Sequence, residues 1–500
     1  MEKNKRNWLI IIFLTVLFLR LTLSFLTPNF TYESYFHLRQ VEHITETGLP
    51  IYDDSLSYSG RTFQFLPFFH YLMAFFNLFL PLELLAKIIP NILLASLTII
   101  VYLISKKITK SETASFLSAF VAGFLPILFS TNSFAPETLF LPLTFLTIYA
   151  FFNIRRKIYL YWYILLFLIL SLTSSATFLL IMGFGIYLLL SVLERKEINR
   201  EEIEVILFSV FFFIWIQFLF FKNLFIEKGI SFIWQNVPPQ IIQEYFPTVS
   251  VVQALILVSI IPFLVGVFVV YRSLFHLKNE RSFLLISFAI STTLLTWSRL
   301  IEFKLSLAFF SVILAILFAP FYQDLKIFIR KTRVSHLANY LPTILIVLLA
   351  LTMIFPAVKA SLEQETPTSY EVEAFRWLSE NTPENSRVLA LLEEGHLITY
   401  YGKRKNIIDN KFASIKDIEE RFADFNSLFT TKFQTQASDL IDKYNIDYIM
   451  FTTQAQDKYQ QSNFKYLSIN CFERVYKEET RIYRVKCSLN EINNQINEKS

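Results

Sequence analysis

Apolar runs of about 20 residues recur along this chain, and that feature limits what it can fold into more than any other. A run of that length crosses the hydrocarbon core of a bilayer as a helix, and a soluble chain of 500 residues would have no reason to repeat it. The first run, "WLIIIFLTVLFLRLTLSFL", follows a basic head. No small-residue cleavage site comes after it, so it reads as a retained span and not as a removed signal peptide. Hydrophobic residues make up 54% of the chain, and most of its 55 phenylalanines lie inside the runs. This is the composition of a polytopic α-helical membrane protein. A formal charge of +5 gives no reason to expect nucleic acid as a partner.

Spans are expected near 8–27, 83–105, 112–130, 137–153, 159–173, 176–193, 203–222, 250–272, 282–298, 303–321 and 339–357, about eleven in all. Lys and Arg cluster at Lys3/Lys5/Arg6, Lys106/Lys107/Lys110, Arg155/Arg156/Lys157, Arg195/Lys196/Arg200, Arg272/Lys278/Arg281 and Lys326/Arg330/Lys331/Arg333. All of these fall on one side of the membrane if the N-terminus is cytoplasmic, as the positive-inside rule requires. Counting "FLPFFHYLMAFFNLFL" (65–80) as a span would invert every later loop, so it is read as a helix in or against the interface. The expectation is a multi-pass cell-membrane protein with its C-terminal region, from Val358 onward, extracytoplasmic.

Three regions follow from this map. Residues 1–358 form the multi-span domain, with a first external loop at 28–82. Residues 359–490 alternate charged helical stretches with short apolar runs such as Val388–Leu392, the pattern of a small α/β domain of about 130 residues. Residues 491–500 are a polar tail. The chain's two cysteines, Cys471 and Cys487, flank "FERVYKEETRIYRVK", which reads as two short strands around Lys477–Thr480. A cross-strand disulfide and two reduced thiols both remain open.

The topology leaves few polar places on the outer side. They are the stretch 30–61; the tight turn "TNSFAPETLF" with Glu137; the loop "IWQNVPPQIIQEYFP" with Glu244; and the turn "TWSRLIEFKL" with Arg299, Glu302 and Lys304. Ionisable residues at a membrane boundary commonly serve a pathway, a pair or a site. Each also has a plainer reading. Glu33 and Glu137 can serve as helix N-terminal acids, Arg299 can pair with Glu302 alone, and Asp53 and Asp54 suit a turn.

"ESYFHLRQVEHITETGLPIYDDSLSYSGR" followed by "LPFFHYLMA" resembles the first external loop of the GT-C membrane glycosyltransferases, in particular the catalytic subunit of archaeal and bacterial oligosaccharyltransferases. In that family an acidic residue precedes an aromatic-His-x-Arg segment, and a Gly-Arg closes the loop. Here these are Glu33, Phe36-His37-Leu38-Arg39 and Gly60-Arg61. The family's second acidic motif corresponds to "APETL", which keeps Glu137 but has Ala135 in the first acidic place. Glu244 matches a later external-loop acid, and Arg299 matches an Arg that contacts the lipid-linked phosphate. "LLEEGHLITYYGKRKNIIDN" resembles the soluble-domain segment that begins Trp-Trp-Asp-Tyr-Gly. Leu391, Leu392, Glu393 and Glu394 replace its first four residues, and Gly395 is identical.

The resemblance implies an inverting transfer of a sugar or oligosaccharide from a polyprenyl-phosphate or diphosphate donor to a protein or lipid acceptor at the outer membrane face. Glu33 would act as base and Glu137 as a second catalytic acid. Arg299, Arg39 and His37 would face the donor phosphate, and Glu244 the acceptor loop. A divalent Mg²⁺ or Mn²⁺ held by Glu33 and Glu137 would complete the site. The change at 391–394 removes the part of the motif that reads an Asn-x-Ser/Thr acceptor. Two other classes fit a many-spanning chain with boundary charges: a transporter or flippase, and a GT-C-like scaffold that binds a lipid carrier without catalysis. Only 9 glycines, no internal repeat and acids placed away from mid-span weigh against transport.

Overall fold

The computed structural model describes residues 2–130, 133–196, 198–229, 250–277, 280–412, 415, 417–468 and 471–486. The chain divides into two compact units. One is helical and comprises Met1–Thr27, Phe65–Gln235 and Pro239–Gln364; the other comprises Pro28–Gln64, Asn236–Pro238 and Glu365–Ser500.

Among the described residues of the helical unit, seven helices are long and apolar enough to cross a membrane: Asn7–Leu26, Leu82–Thr109, Glu112–Ser130, Ser175–Leu193, Arg200–Ile226, Phe303–Arg330 and Leu337–Leu362. The pair Val251–Val258 and Ile260–Phe275, bent by 89°, is a broken span or a re-entrant loop, and brings the number to eight if it counts as one span. The bend falls at Ser259, whose φ of 72° places it outside helical space. Shorter apolar helices, Glu137–Phe152, Lys157–Thr173 and Ser282–Trp297, lie where three further spans are expected, each of 10–17 residues. The 65–80 segment forms a helix only from Phe68 to Asn77, 10 residues and too short to cross.

Phenylalanine rings hold these helices together. Phe151 and Phe184 lie 4.8 Å apart, Phe184 and Phe288 5.4 Å, and Phe145 and Phe309 5.0 Å. Gly183 lets helix Phe178–Leu193 approach helix Glu280–Trp297, because a Cβ there would run into the Phe288 ring. Inside the first span, Arg20 is buried, donates to the Leu128 carbonyl at 3.2 Å and lies 4.1 Å from the Phe129 ring centroid. Sequence reasoning passed over this residue, although an arginine within an apolar run is the signal that marks it.

The second unit is an α/β layer. Its strands are β1 (Asp53–Asp54), β2 (Arg61–Thr62), β3 (Arg387–Leu389), β4 (Lys405–Asn406), β5 (Tyr448–Phe451), β6 (Phe472–Lys477) and β7 (Arg481–Val485). β1 and β2 form an antiparallel pair, and the other five form a sheet in the order β4-β3-β5-β7-β6. β3 pairs in parallel with β4 and β5, whereas β7 runs antiparallel to both β5 and β6. The β6–β7 hairpin is the one expected around Lys477–Thr480. Cys471 is disulfide-bonded, and the chain's other cysteine, Cys487, lies outside the described residues.

The sequence reading assigned 28–82 to the multi-span domain, but residues 28–64 group with 365–500 instead. Helix Ser34–Thr47 packs its one tyrosine on the later segment: Tyr35 lies 5.5 Å from Tyr400 and 5.3 Å from Tyr401. Apolar and aromatic faces of the loop thus have their burial partners near the end of the chain.

Candidate functional site

Glu33 stands at the N-cap position of helix Ser34–Thr47, yet its side chain makes no capping hydrogen bond. Its carboxylate forms an ion pair with the ammonium of Lys411 instead. The helix ends at Gly48, which adopts φ 80° and donates to the Ile44 carbonyl. Gln40 then holds the returning chain, donating to the Ile51 carbonyl and accepting from the Ile51 amide.

Arg39 binds the buried Asp54 in bidentate fashion at 2.6 and 2.8 Å. Asp54 also accepts the Leu56 amide at 2.9 Å. Both terminal nitrogens of Arg39 are therefore engaged in shaping the loop. His37 is buried, 5.1 Å from the Phe36 ring. Asp53 accepts from the Thr62 hydroxyl at 2.8 Å, a turn role.

The loop closes on a polar frame. Tyr58 sits at φ 50°, an uncommon conformation for a residue with a side chain. Its amide donates to Asn406 Oδ1 and its hydroxyl to the Asp409 carbonyl, both at 2.6 Å. The Asp409 carboxylate accepts from Ser57 Oγ at 2.5 Å, Asn406 Nδ2 at 3.0 Å and the Lys411 amide at 2.9 Å. Arg61 lies 3.9 Å from Asp409 and 3.9 Å from the Phe63 ring centroid, and it donates to the Lys411 carbonyl. Burial alone would raise the Asp409 pKa, but Arg61, His396 and the donated hydrogen bonds outweigh it and hold the group at about 2.

Gly395 is needed where it stands, because a Cβ there would lie 2.6 Å from Asp409 Cβ and closer still to the Ile408 carbonyl oxygen. The preceding residue, Glu394, is fully buried. Burial, reinforced by Glu371, raises its pKa to about 8. His396 is buried, with Nε2 2.7 Å from Asn410 Oδ1, and desolvation lowers its pKa. Its ring lies 5.4 Å from Phe36, and Lys411 Nζ lies 5.5 Å from the same Phe36 ring.

In the helical unit, Glu137 opens helix Glu137–Phe152 directly after Pro136, in the first-turn position that suits an acid. Arg299 is exposed and adopts φ 55° in the turn that separates helices Glu280–Trp297 and Phe303–Arg330. Glu244 lies outside the described residues. The structure thus joins Glu33 to Lys411 and Arg39 to Asp54. Sequence reasoning missed Lys411, Asp409 and Asn406, for which "NIIDNK" supplied the residue types but no indication of their partners.

The sequence assigns a divalent ion to Glu33 and Glu137, which belong to different compact units. A hard cation takes several oxygen ligands. Here Glu33 faces Lys411, Asp54 faces Arg39 and Asp409 faces Arg61. No group of three or more metal-ligating side chains occurs among the described residues.

No protein-family model matches the sequence, and no curated protein is similar to it. Solved structures do match. The apo oligosaccharyltransferase of Archaeoglobus fulgidus superposes with a TM-score of 0.68 at 15% identity, covering 90% of this chain and 69% of that one. A. fulgidus AglB in complex with an inhibitory peptide and a dolichol-phosphate gives 0.67 at 15% identity, over 89% and 69%. ArnT of Cupriavidus metallidurans, bound to undecaprenyl phosphate, gives 0.57 at 10% identity, over 95% and 97%. The fold is GT-C. The first of these proteins has also been solved with zinc and sulfate. At these identities the likeness concerns the GT-C fold, a many-helix unit joined to a small sheet unit, and it extends over nearly the whole chain.

Proposed function

We propose that the protein is a membrane glycosyltransferase that takes a sugar or oligosaccharide from a polyprenyl-phosphate or diphosphate donor and passes it to a protein or lipid acceptor on the extracytoplasmic face. One observation carries this reading. The chain shares its fold, over 89% and 95% of its length, with two different proteins that each hold a polyprenyl phosphate. The peptide in one of those complexes belongs to that protein, and the acceptor here is left at the level of class.

In this reading Glu33 is the acceptor-facing base. The acceptor's nucleophilic atom attacks the anomeric carbon and the bond from that carbon to the phosphate oxygen breaks. The configuration inverts, the acceptor's proton passes to Glu33 and the polyprenyl phosphate or diphosphate leaves with the bonding electrons. Arg299, on an exposed turn in strained backbone, would meet the charge that grows on the phosphate. Glu137 would serve as a second acid, and Glu244 would contribute from the acceptor loop. Arg39 acts indirectly, through the shape of the loop, and His37 packs within it.

The test uses full-length protein in lipid nanodiscs with a polyprenyl-linked sugar donor and a mixed protein and lipid acceptor fraction. The wild type should release the lipid phosphate and label an acceptor, and Glu33→Gln should stop both. Normal turnover by Glu33→Gln would remove Glu33 from the chemistry. In proteoliposomes, donor that moves across the sealed bilayer without being consumed would favour transport.

A further inference from the structure

We propose that the helical unit binds one anionic phospholipid, with an acyl chain seated in a groove between three spanning helices and the headgroup phosphate against basic residues at their starts. None of the residues proposed for glycosyl transfer lines this groove.

The groove has a volume of about 430 Å³. Its walls are Trp8 and Thr15 of helix Glu2–Leu26, Thr113 and Phe124 of the stretch Glu112–Ser130, and Pro342 and Ile346 of helix Leu337–Leu362. Trp8 and Ile346 stand exposed at its lips, while Leu117 and Phe124 are buried at its floor. Farther along the same three segments, Leu23, Phe129 and Ala357 pack together. Trp8, Thr113 and Pro342 each precede that cluster by about 15 residues, about 22 Å of helix. The three segments therefore run in one direction, and the groove opens at the end where all of them begin.

That end is basic. Lys3, Lys5 and Arg6 precede Trp8, Lys110 precedes Thr113, and Lys331 and Arg333 precede helix Leu337–Leu362. Lys110, Lys331 and Arg333 are exposed. Glu112 is the one acid between 106 and 113 and lies 3.5 Å from Lys106; no acid occurs between Asp324 and Glu363. Such a rim attracts an anionic headgroup.

Depth selects the tail. From Thr113 to Phe124 the groove runs about 16 Å, close to half of a hydrocarbon core of about 30 Å. An acyl chain whose phosphate sits at this basic rim matches that depth. A polyprenyl donor, with its phosphate at the other face in the proposed reaction, does not.

The test titrates full-length protein in neutral detergent micelles with phosphatidylglycerol or phosphatidylcholine brominated at mid-chain. Bromine quenches tryptophan on contact, and subtracting the Trp8→Phe signal from that of the wild type isolates Trp8. Phosphatidylglycerol should quench Trp8 at a mole fraction at least fivefold lower than phosphatidylcholine does. Replacing the exposed Lys110, Lys331 and Arg333 together by Gln should abolish that difference without moving the melting temperature. Native mass spectrometry should show one phosphatidylglycerol retained by the wild type.

Equal quenching of Trp8 by the two lipids in the wild type would overturn the proposal. So would a preference that survives in the triple variant, or the absence of any retained lipid. Displacement of the brominated phosphatidylglycerol by an equal amount of polyprenyl phosphate would overturn it too, by assigning the groove to the donor's tail.

Discussion

Arg61 and Asp409 stand 3.9 Å apart, 5% and 0% exposed, and connect the end of the first loop to the segment that follows β4. At that distance the pair is held by charge, with hydrogen bonds from Ser57 and Asn406 completing the carboxylate. Asp409→Asn would leave the Arg61 guanidinium buried without its counter-charge, so a loss of about 3–5 kcal/mol is expected in the stability of this unit. The wild-type dependence on acid has a definite sign. The Asp409 pKa is lowered from 3.8 to about 2, so its contribution is complete above about pH 4 and disappears as pH falls through about 2. Thermal melts of detergent-solubilised protein between pH 2 and 5 would show the acid loss in the wild type and not in Asp409→Asn.

Glu394 shifts in the opposite direction. Its pKa rises from 4.5 to about 8, so the folded state keeps a proton that the unfolded chain releases. The stabilising effect of this proton is full below about pH 4.5 and is lost as pH climbs through about 8. Glu394→Gln, which is neutral at every pH, should remove that slope and raise stability at pH 7 by on the order of 3 kcal/mol. A melting temperature that falls with pH in the variant as steeply as in the wild type would contradict this.

Gly395→Ala should prevent the unit from folding, or cost it more than about 3 kcal/mol. The new methyl group meets backbone at Ile408 and Asp409, not the end of a flexible side chain. Proteolysis of residues 365–500 in the purified variant would report this directly, with cleavage sites opening that the wild type protects.

Arg39→Lys keeps the charge but loses the two parallel hydrogen bonds to Asp54, so a modest loss of about 1–2 kcal/mol is expected. Arg39→Ala leaves Asp54 buried and unbalanced, and should cost about 3–5 kcal/mol. If Arg39 held the donor directly, Arg39→Lys would raise the donor KM without moving the melting temperature. The expected outcome is the reverse, a shifted melt with KM largely kept.

The helical unit was legible because its signal is local: apolar helices stand where spans are expected, and the segment 65–80 is helical only from Phe68 to Asn77. The β6–β7 hairpin was legible for the same reason. The surroundings of Glu33 were not, since they depend on contacts between polar residues at opposite ends of the sequence. An acid ahead of "SYFHLR" looks like a helix cap until Lys411 is placed beside it. Arg39 and His37 matched a family pattern by position, whereas the structure shows Arg39 occupied by Asp54, which residue types alone do not reveal.

Residues 28–64 belong to the same compact unit as 365–500, and this bears on how the protein is made. The loop leaves the ribosome first, and the strands and helices it packs against are made last. Throughout synthesis of the intervening helices, Tyr35, Tyr58 and Arg61 lack Tyr401, Asn406 and Asp409. Glu33 therefore acquires its setting only when translation is nearly complete. A chain that stalls before residue 412 can hold all its spans in the bilayer and still lack the ammonium that faces Glu33.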